Sequence, residues 1–141
     1  MSRPYRKRRI ELPPSIKNFK PCGIPRKDLQ SISLSIDEYE AIRLADYKGL
    51  EHSEAAEQME ISRPTFSRLI EKSRNKIAQA IIDGKELIVE GGNVEFRNTV
   101  KRCKECGDEE IIPNNTSINN CNECGSRNVE DSASKFINNK I

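Results

Sequence analysis

The stretch Glu54–Arg74, EAAEQMEISRPTFSRLIEKSR, contains the residues that decide the fold of the N-terminal part of this chain. Ala56 is small enough to let two helices cross at close range. Ile61, Phe66 and Leu69 are then spaced to fill the wedge between a short helix and a second helix that follows a tight turn. This pattern predicts a helix-turn-helix.

Signals for helix ends surround this stretch on both sides. A capping box at residues 35–38, SIDE, predicts the start of a first helix, and Gly49 predicts its end. The second helix is predicted over residues 52–59. Ser62 is then the N-cap candidate of a third helix, whose apolar residues recur with a 3.6-residue period as far as Gly84. We therefore expect three helices between residues 35 and 84.

The turn between the second and third helices departs from the usual pattern at one position. Glu60 stands where a helix-turn-helix favours glycine. A residue with a side chain must adopt an unusual backbone conformation there, or the turn must differ. The sequence leaves both possibilities open.

The outward face of the third helix carries the residues that point to a nucleic acid. Its inner face is predicted to consist of Phe66, Leu69, Ile70, Ser73, Ile77, Ile81 and Ile82. On the other side lie the residues that we expect to read bases in the major groove: Arg63, Thr65, Ser67 and Arg68. Arginine pairs bidentately with guanine, and hydroxyls donate to or accept from base edges. The alternative is an ordinary exposed helix of a three-helix bundle.

Basic residues are concentrated in two segments. The formal net charge is only +2, yet residues 1–30 hold nine Lys or Arg against two acidic residues, and residues 61–76 hold five against one. Residues 35–60 hold eight acidic residues against two basic ones. Two basic patches flanking an acidic segment suit a polyanion partner. Phosphate contacts are expected from Lys72, Arg74, Arg6, Lys7, Arg8 and Arg9.

Four cysteines form two CxxCG motifs near the C-terminus. The predicted metal ligands are Cys103, Cys106, Cys121 and Cys124, with fourteen residues between the two pairs. Each CxxC loop directs two thiolates at one ion, and two loops complete the tetrahedral site of a structural Zn²⁺. Iron is the less favoured metal, because the loops lack the proline and nearby aromatics of a rubredoxin-like site. Cys22 has no partner motif.

Composition divides the chain into five segments. They are a basic, proline-containing arm (1–33), a helix-turn-helix DNA-binding domain with a C-terminal hairpin (34–96), a linker (97–102), a zinc-ribbon-like module (103–129) and a disordered tail (130–141). Gly91-Gly92 suggests the hairpin, because two glycines permit the positive φ angles of a tight turn. The expected fold class is mainly α: a helical domain with a short β-hairpin, followed by a small zinc-ribbon-like module.

Several functional classes find no support in the sequence. No apolar run approaches the ~20 residues that span a bilayer, and the N-terminus lacks the apolar core of a signal peptide. We therefore expect a cytoplasmic protein without membrane contact. His52 is the only histidine, and its position at a helix start suggests a surface or capping role. We expect no enzymatic activity, because no catalytic constellation is evident.

A family resemblance extends over most of the N-terminal part. Residues 35–82 resemble region four of bacterial sigma factors. The segments PYRKRRI, FKPCGIP, LSIDEYEAIRLAD, EAAEQMEISRPTFSRLIEKSRNKIAQAI and GKELIVEGG together resemble an uncharacterised family of small predicted DNA-binding proteins of bacteria and archaea. The resemblance implies a helical DNA-binding domain with a basic N-terminal arm. It says little about residues 97–141.

The interpretation that joins these observations is a sequence-specific, double-stranded DNA-binding protein that regulates transcription. The rival is a metal-linked module that binds a protein such as RNA polymerase, or a second copy of itself, without direct sequence readout. A third alternative is electron transfer through iron at the four cysteines. The first two differ on Arg63 and Arg68, which matter directly only when DNA is read.

Overall fold

The computed structural model of the protein describes residues 7–117 and 119–136. Arg6, one of the predicted phosphate contacts, and residues 137–141 of the predicted tail lie outside these ranges. The chain forms two compact units. Unit 1 is Ile16–Glu95 together with the N-terminal strand that ends at Ile10, and unit 2 is Glu11–Ser15 together with the chain from Phe96 onward.

Unit 1 combines three α-helices with short strands. Its strands are β1 (Arg8–Ile10), β2 (Asn18–Phe19), β3 (Ser31–Leu34) and β4 (Glu86–Val89), and β5 (Val94–Phe96) lies at its boundary. Its helices are α1 (Ile36–Ile42), α2 (His52–Met59) and α3 (Arg63–Asp83), with a π-helical segment at Arg43–Tyr47. A single 3-10 turn covers Arg26–Asp28.

The prediction of a mainly α fold is wrong. The described residues form three small sheets alongside three α-helices, and two of these sheets have the strand orders β1-β5 and β2-β4-β3. The predicted hairpin is also wrong. Strand β4 pairs antiparallel with β2 and parallel with β3, while β5 pairs with β1. The arm before residue 34 supplies these partner strands, so pairing over a long sequence separation replaces the local hairpin.

The predicted helix boundaries in unit 1 are confirmed except for the end of the first helix, where α1 stops at Ile42 and a π-helical segment covers Arg43–Tyr47 before Gly49. Ser35 accepts from the backbone amide of Glu38, and the Glu38 carboxylate accepts from the Ser35 amide, so the capping box is complete. Helix α2 covers His52–Met59, as predicted, and α3 ends at Gly84, whose φ of 64° permits the left-handed conformation. Such local signals act within one turn of helix, which is why the sequence alone reveals them.

The core of unit 1 lies where the helices meet. The fully or almost fully buried apolar side chains include Ile36, Leu44, Ala55, Met59, Phe66 and Ile70. The prediction of a buried inner face on α3 is confirmed for only part of the helix. Ile81 and Ile82 are 73% and 81% exposed, whereas Ala80 is the buried residue of the last turns.

Unit 2 is a small three-stranded antiparallel sheet. Its strands are β6 (Asn98–Cys103), β7 (Glu109–Pro113) and β8 (Val129–Asp131), followed by a 3-10 helix at Ser132–Lys135. Strand β6 is central and occupies most of the segment for which a linker was expected. The start of the expected disordered tail forms the end of β8 and the 3-10 helix.

Gly92 should be the glycine of unit 1 that least tolerates a side chain. It has φ of 97°, and a Cβ there would lie 2.9 Å from Asp37 Oδ1. That oxygen is buried and has no hydrogen-bond partner among the described residues. Gly91 has a similar φ of 79° but faces open space.

Gly92→Ala should therefore lower the free energy of unfolding more than Gly91→Ala. In both variants an alanine must adopt the left-handed conformation, which destabilises the fold by about 1–2 kcal/mol. Only Gly92→Ala adds a steric overlap, which destabilises it by about 1–3 kcal/mol more. Urea unfolding of the two variants measures the difference. Equal midpoints would show that Asp37 moves aside at no cost.

Candidate nucleic-acid interface and metal centre

A three-residue turn joins α2 and α3 and sets the direction of α3. Glu60 adopts the left-handed conformation, with φ of 58° and ψ of 44°, at the position where glycine was expected. The Ile61 amide donates to the Ala56 carbonyl (3.0 Å), which closes the end of α2. Ser62 then caps α3 by accepting from the Thr65 amide at 3.3 Å.

The N-terminal half of α3 has one buried face and one exposed face. Phe66, Leu69, Ile70 and Ser73 are buried as predicted, and the Ser73 hydroxyl donates to the Leu69 carbonyl at 2.8 Å. Arg63 and Arg68 are exposed, and their side chains make no ion pair or hydrogen bond within the described part of the chain. These two guanidinium groups are therefore available to a ligand.

The two hydroxyl residues predicted to read bases are more constrained. Thr65 is half-buried, and its Oγ1 accepts a hydrogen bond from Ser62 Oγ at 2.7 Å. Ser67 is half-buried as well, and its Oγ lies 2.9 Å from Nδ1 of His52. The contact with His52 was not foreseen, because nothing in the sequence pairs the start of α2 with this turn of α3.

Several predicted phosphate ligands already form ion pairs within unit 1. Arg74 forms two contacts with Asp46, at 2.7 and 3.0 Å. Arg8 Nη1 lies 2.6 Å from Asp37 Oδ2. Arg9 contacts Glu60 at 3.0 Å and Glu95 at 3.1 Å. Lys7 and Lys72 are exposed, although Lys72 Nζ is 4.0 Å from Glu38 Oε2. These intramolecular pairs reduce the positive charge that a polyanion would meet.

The Asp46–Arg74 pair persists at neutral pH. Its hydrogen bond from Arg74 holds the pKa of the Asp46 carboxyl below its ordinary value. A carboxyl whose pKa is lowered by folding stabilises the folded state. This stabilisation is complete above the pKa of the unfolded state, which is about 3.9 for aspartate. This contribution is lost only as the pH falls through the lower pKa of the folded state.

Glu38 is one of three buried carboxylates among the described residues of unit 1, with Asp37 and Glu40, and its relative exposure is 2%. Besides its role in the capping box, it accepts from Lys76 Nζ at 2.7 Å, and Lys76 also donates to the Ser33 carbonyl. A buried charge with a direct partner avoids the large cost of an unpaired one. We interpret this cluster as a structural link between α1 and α3.

The four cysteines of unit 2 meet at one point, as their spacing predicts. The two CxxCG loops have matching backbone hydrogen bonds. The Gly107 amide donates to the Cys103 carbonyl at 3.0 Å, and the Gly125 amide donates to the Cys121 carbonyl at 2.9 Å. Both glycines have positive φ, at 80° and 75°. The loops therefore present their sulfurs in equivalent ways.

The sulfur positions suit a single tetrahedral ion. All four Sγ atoms lie within 4.8 Å of one another, and the cysteines are free thiols. The pairs Cys103–Cys124 and Cys106–Cys121 are each 3.6 Å apart. A tetrahedral ion with metal–sulfur bonds of about 2.3 Å holds its sulfurs about 3.8 Å apart. The four cysteines form a cluster that could bind a metal.

The backbone around the cluster favours the thiolate that a metal requires. The Cys106 amide donates to Cys103 Sγ at 3.4 Å and is the largest of several causes that lower the pKa of Cys103 to about 6, whereas neighbouring thiols contribute to a raised pKa at Cys106 and Cys124. Cys103 and Cys121 are buried, whereas Cys106 and Cys124 are exposed. Cys22 is exposed and belongs to unit 1, whereas the four clustered cysteines belong to unit 2.

Among the described helices, none combines the length and apolar character needed to cross a membrane.

Comparison with known proteins identifies the family. Residues 1–97 match the family described as "Protein of unknown function DUF134". A UPF0251 protein of Chloroherpeton thalassium is 54% identical over 131 residues, which cover 93% of this chain and 87% of the relative. A UPF0251 protein of Halothermothrix orenii is 47% identical over 113 residues, covering 80% of this chain and 84% of the relative. These names state no function. The chain belongs to the DUF134 family.

Proposed function

We propose that this protein binds double-stranded DNA in a sequence-specific manner and regulates transcription. In this proposal the N-terminal half of α3 enters the major groove, where Arg63 and Arg68 read bases. Thr65 and Ser67 contribute hydroxyl contacts nearby. Lys72 and Lys7 contact phosphates, and the ion-paired Arg8, Arg9 and Arg74 do so only where a phosphate displaces a carboxylate.

The observation that carries the proposal is the contrast between the arginines of α3 and the other cations around it. Arg8, Arg9 and Arg74 are neutralised by neighbouring carboxylates, whereas Arg63 and Arg68 are exposed without such partners among the described residues. Both belong to the first two turns of a helix that follows a tight turn, the part of such a helix that contacts base edges. An arginine without an internal partner retains all of its donors for guanine.

The test is binding of the full metal-loaded chain to a duplex from its own upstream region and to a scrambled duplex of equal composition, across a salt series. We expect the native duplex to stay bound at salt concentrations that release the scrambled one. Equal affinities that fall together with salt would leave only electrostatic attraction and would overturn sequence-specific recognition. Co-purification with RNA polymerase, without DNA preference, would support the rival function instead.

We also propose that the ion held by the four cysteines is Zn²⁺, in a structural role. Four thiolates in closed tetrahedral geometry are the usual ligands of structural zinc. Elemental analysis of the purified protein should give one zinc per chain. A red protein carrying one iron per chain would assign the site to iron and revive the electron-transfer alternative.

Asp46→Asn should increase the affinity for DNA of any sequence, since it releases Arg74 from its ion pair. One additional phosphate contact should steepen the slope of log K against log salt by about 0.9. Asp28→Asn is the matched control, because Asp28 is exposed and forms no ion pair among the described residues. If both variants change the slope equally, Arg74 contributes only through the net charge.

A further inference from the structure

His52 is placed to control the hydroxyl of Ser67. Its Nδ1 lies 2.9 Å from Ser67 Oγ, and both side chains are half-buried. The imidazole also packs edge-on against Phe66, with ring centroids 5.3 Å apart and the planes at 65°. Phe66 is fully buried. The ring is therefore held from two sides, by a fixed aromatic residue and by a hydrogen bond.

The direction of this hydrogen bond depends on the charge of the imidazole. A neutral imidazole that carries its proton on Nε2 accepts at Nδ1, so the Ser67 hydroxyl then donates its proton inward and leaves its lone pairs for other donors. A protonated imidazole is a donor at both nitrogens. Nδ1–H then donates to Ser67 Oγ, and the Ser67 proton must point elsewhere. The protonation state of His52 thus sets whether Ser67 presents an acceptor or a donor.

We propose that His52 is a positioning residue that determines which base forms a hydrogen bond with Ser67. With neutral His52, Ser67 presents an acceptor and favours the amino groups of adenine or cytosine in the major groove. With protonated His52, it presents a donor and favours O6 or N7 of guanine or O4 of thymine. Histidine is the side chain that changes charge between about pH 5 and 8. This inference rests on the proposed function, because it assigns a role within the same DNA-reading surface.

The charged groups around His52 come from three elements. Asp46, in the π-helical segment, interacts electrostatically with the imidazole and is itself paired with Arg74 of α3. Glu51 precedes His52 as the N-cap residue of α2. Glu71 lies one turn beyond Ser67 on α3. Asp46 thus interacts with His52 directly, and Glu51, Glu71 and Arg74 are further charged groups on these elements.

The first test needs no DNA. Because the chain has a single histidine, its imidazole nitrogen resonances belong to His52 without further assignment. We expect Ser67→Ala to change the Nδ1 chemical shift of the neutral ring, because the hydrogen bond to Ser67 Oγ is removed. Ser53→Ala is the matched control, since it removes a hydroxyl from the next residue of α2, which makes no hydrogen bond or ring contact with His52 among the described residues. Identical Nδ1 chemical shifts for the wild type and Ser67→Ala would overturn the hydrogen bond.

The second test measures base preference at two pH values. The metal-loaded chain is titrated against duplexes that differ at one base pair each, at pH 5.5 and pH 8. We expect the preference at one position to change by about tenfold between the two pH values. His52→Gln, which cannot titrate, should show the same preference at both, and Ser67→Ala should lose the preference at that position.

The outcomes separate this inference from the function on which it rests. Specific binding by the wild type with the same base preference at both pH values overturns the role of His52 only. A gain in affinity at pH 5.5 that is the same for every sequence also overturns the role of His52, because it would show that His52 acts only through its positive charge. Absence of specific binding at both pH values overturns the proposed function, and the role of His52 with it.

Discussion

Replacing Arg63 and Arg68 together with alanine should abolish the discrimination between the native upstream duplex and its scrambled control. Each bidentate arginine–guanine pair contributes about 1–3 kcal/mol of discrimination. The double variant should therefore lose about 2–6 kcal/mol, or roughly 30- to 10⁴-fold, of the preference for the native duplex. Fold and stability should be almost unchanged, because both side chains are exposed and lack partners among the described residues.

The matched control for this prediction is the double variant Arg26→Ala and Lys27→Ala. It removes the same charge from exposed residues of a 3-10 turn in the same unit. We expect it to change the affinity for both duplexes by the same factor. Titration by fluorescence anisotropy, with circular dichroism to verify folding, measures both effects. If the two double variants weaken binding alike and without regard to sequence, base readout by α3 is wrong.

Removing the metal should unfold unit 2 while unit 1 keeps its own helical core. The buried apolar residues of unit 2 are few, and two of them are the cysteines Cys103 and Cys121. Such a small core supplies little stability by itself. Structural zinc sites contribute about 10–16 kcal/mol of apparent binding free energy in small peptides. Metal binding should therefore provide most of the folding free energy of this unit.

Two cysteine variants test this prediction against each other. Cys106→Ser removes an exposed cysteine of the cluster, whereas Cys22→Ser removes an exposed thiol that lies outside it. We expect Cys106→Ser to lose the metal and the dispersed amide resonances of strands β6 to β8, and Cys22→Ser to retain both. NMR spectra and metal analysis, before and after chelation, give the comparison. A Cys106→Ser protein that keeps β6 to β8 folded without metal would contradict the prediction.

The cysteine cluster and the helix ends could be predicted because their signals are short in sequence. Two CxxCG motifs bring two pairs of thiolates together, and the capping box at residues 35–38 acts within a single turn. Glu60 is intermediate between the features that the sequence predicts and those that only the structure reveals. The sequence marks it as an unusual residue for the turn, but only the structure reveals that it accepts the left-handed conformation, with φ of 58°.

The sequence by itself determined the three helices of unit 1, their buried faces as far as Ser73, and the meeting point of four cysteines. The tertiary structure decided the sheets, since β4 pairs with strands that lie more than 50 residues earlier in the chain. It also decided which cations remain available, because the partners of Arg8, Arg74 and His52 lie far away in sequence. Hydrogen-bond and charge partners depend on three-dimensional distance, which periodicity and capping signals do not encode.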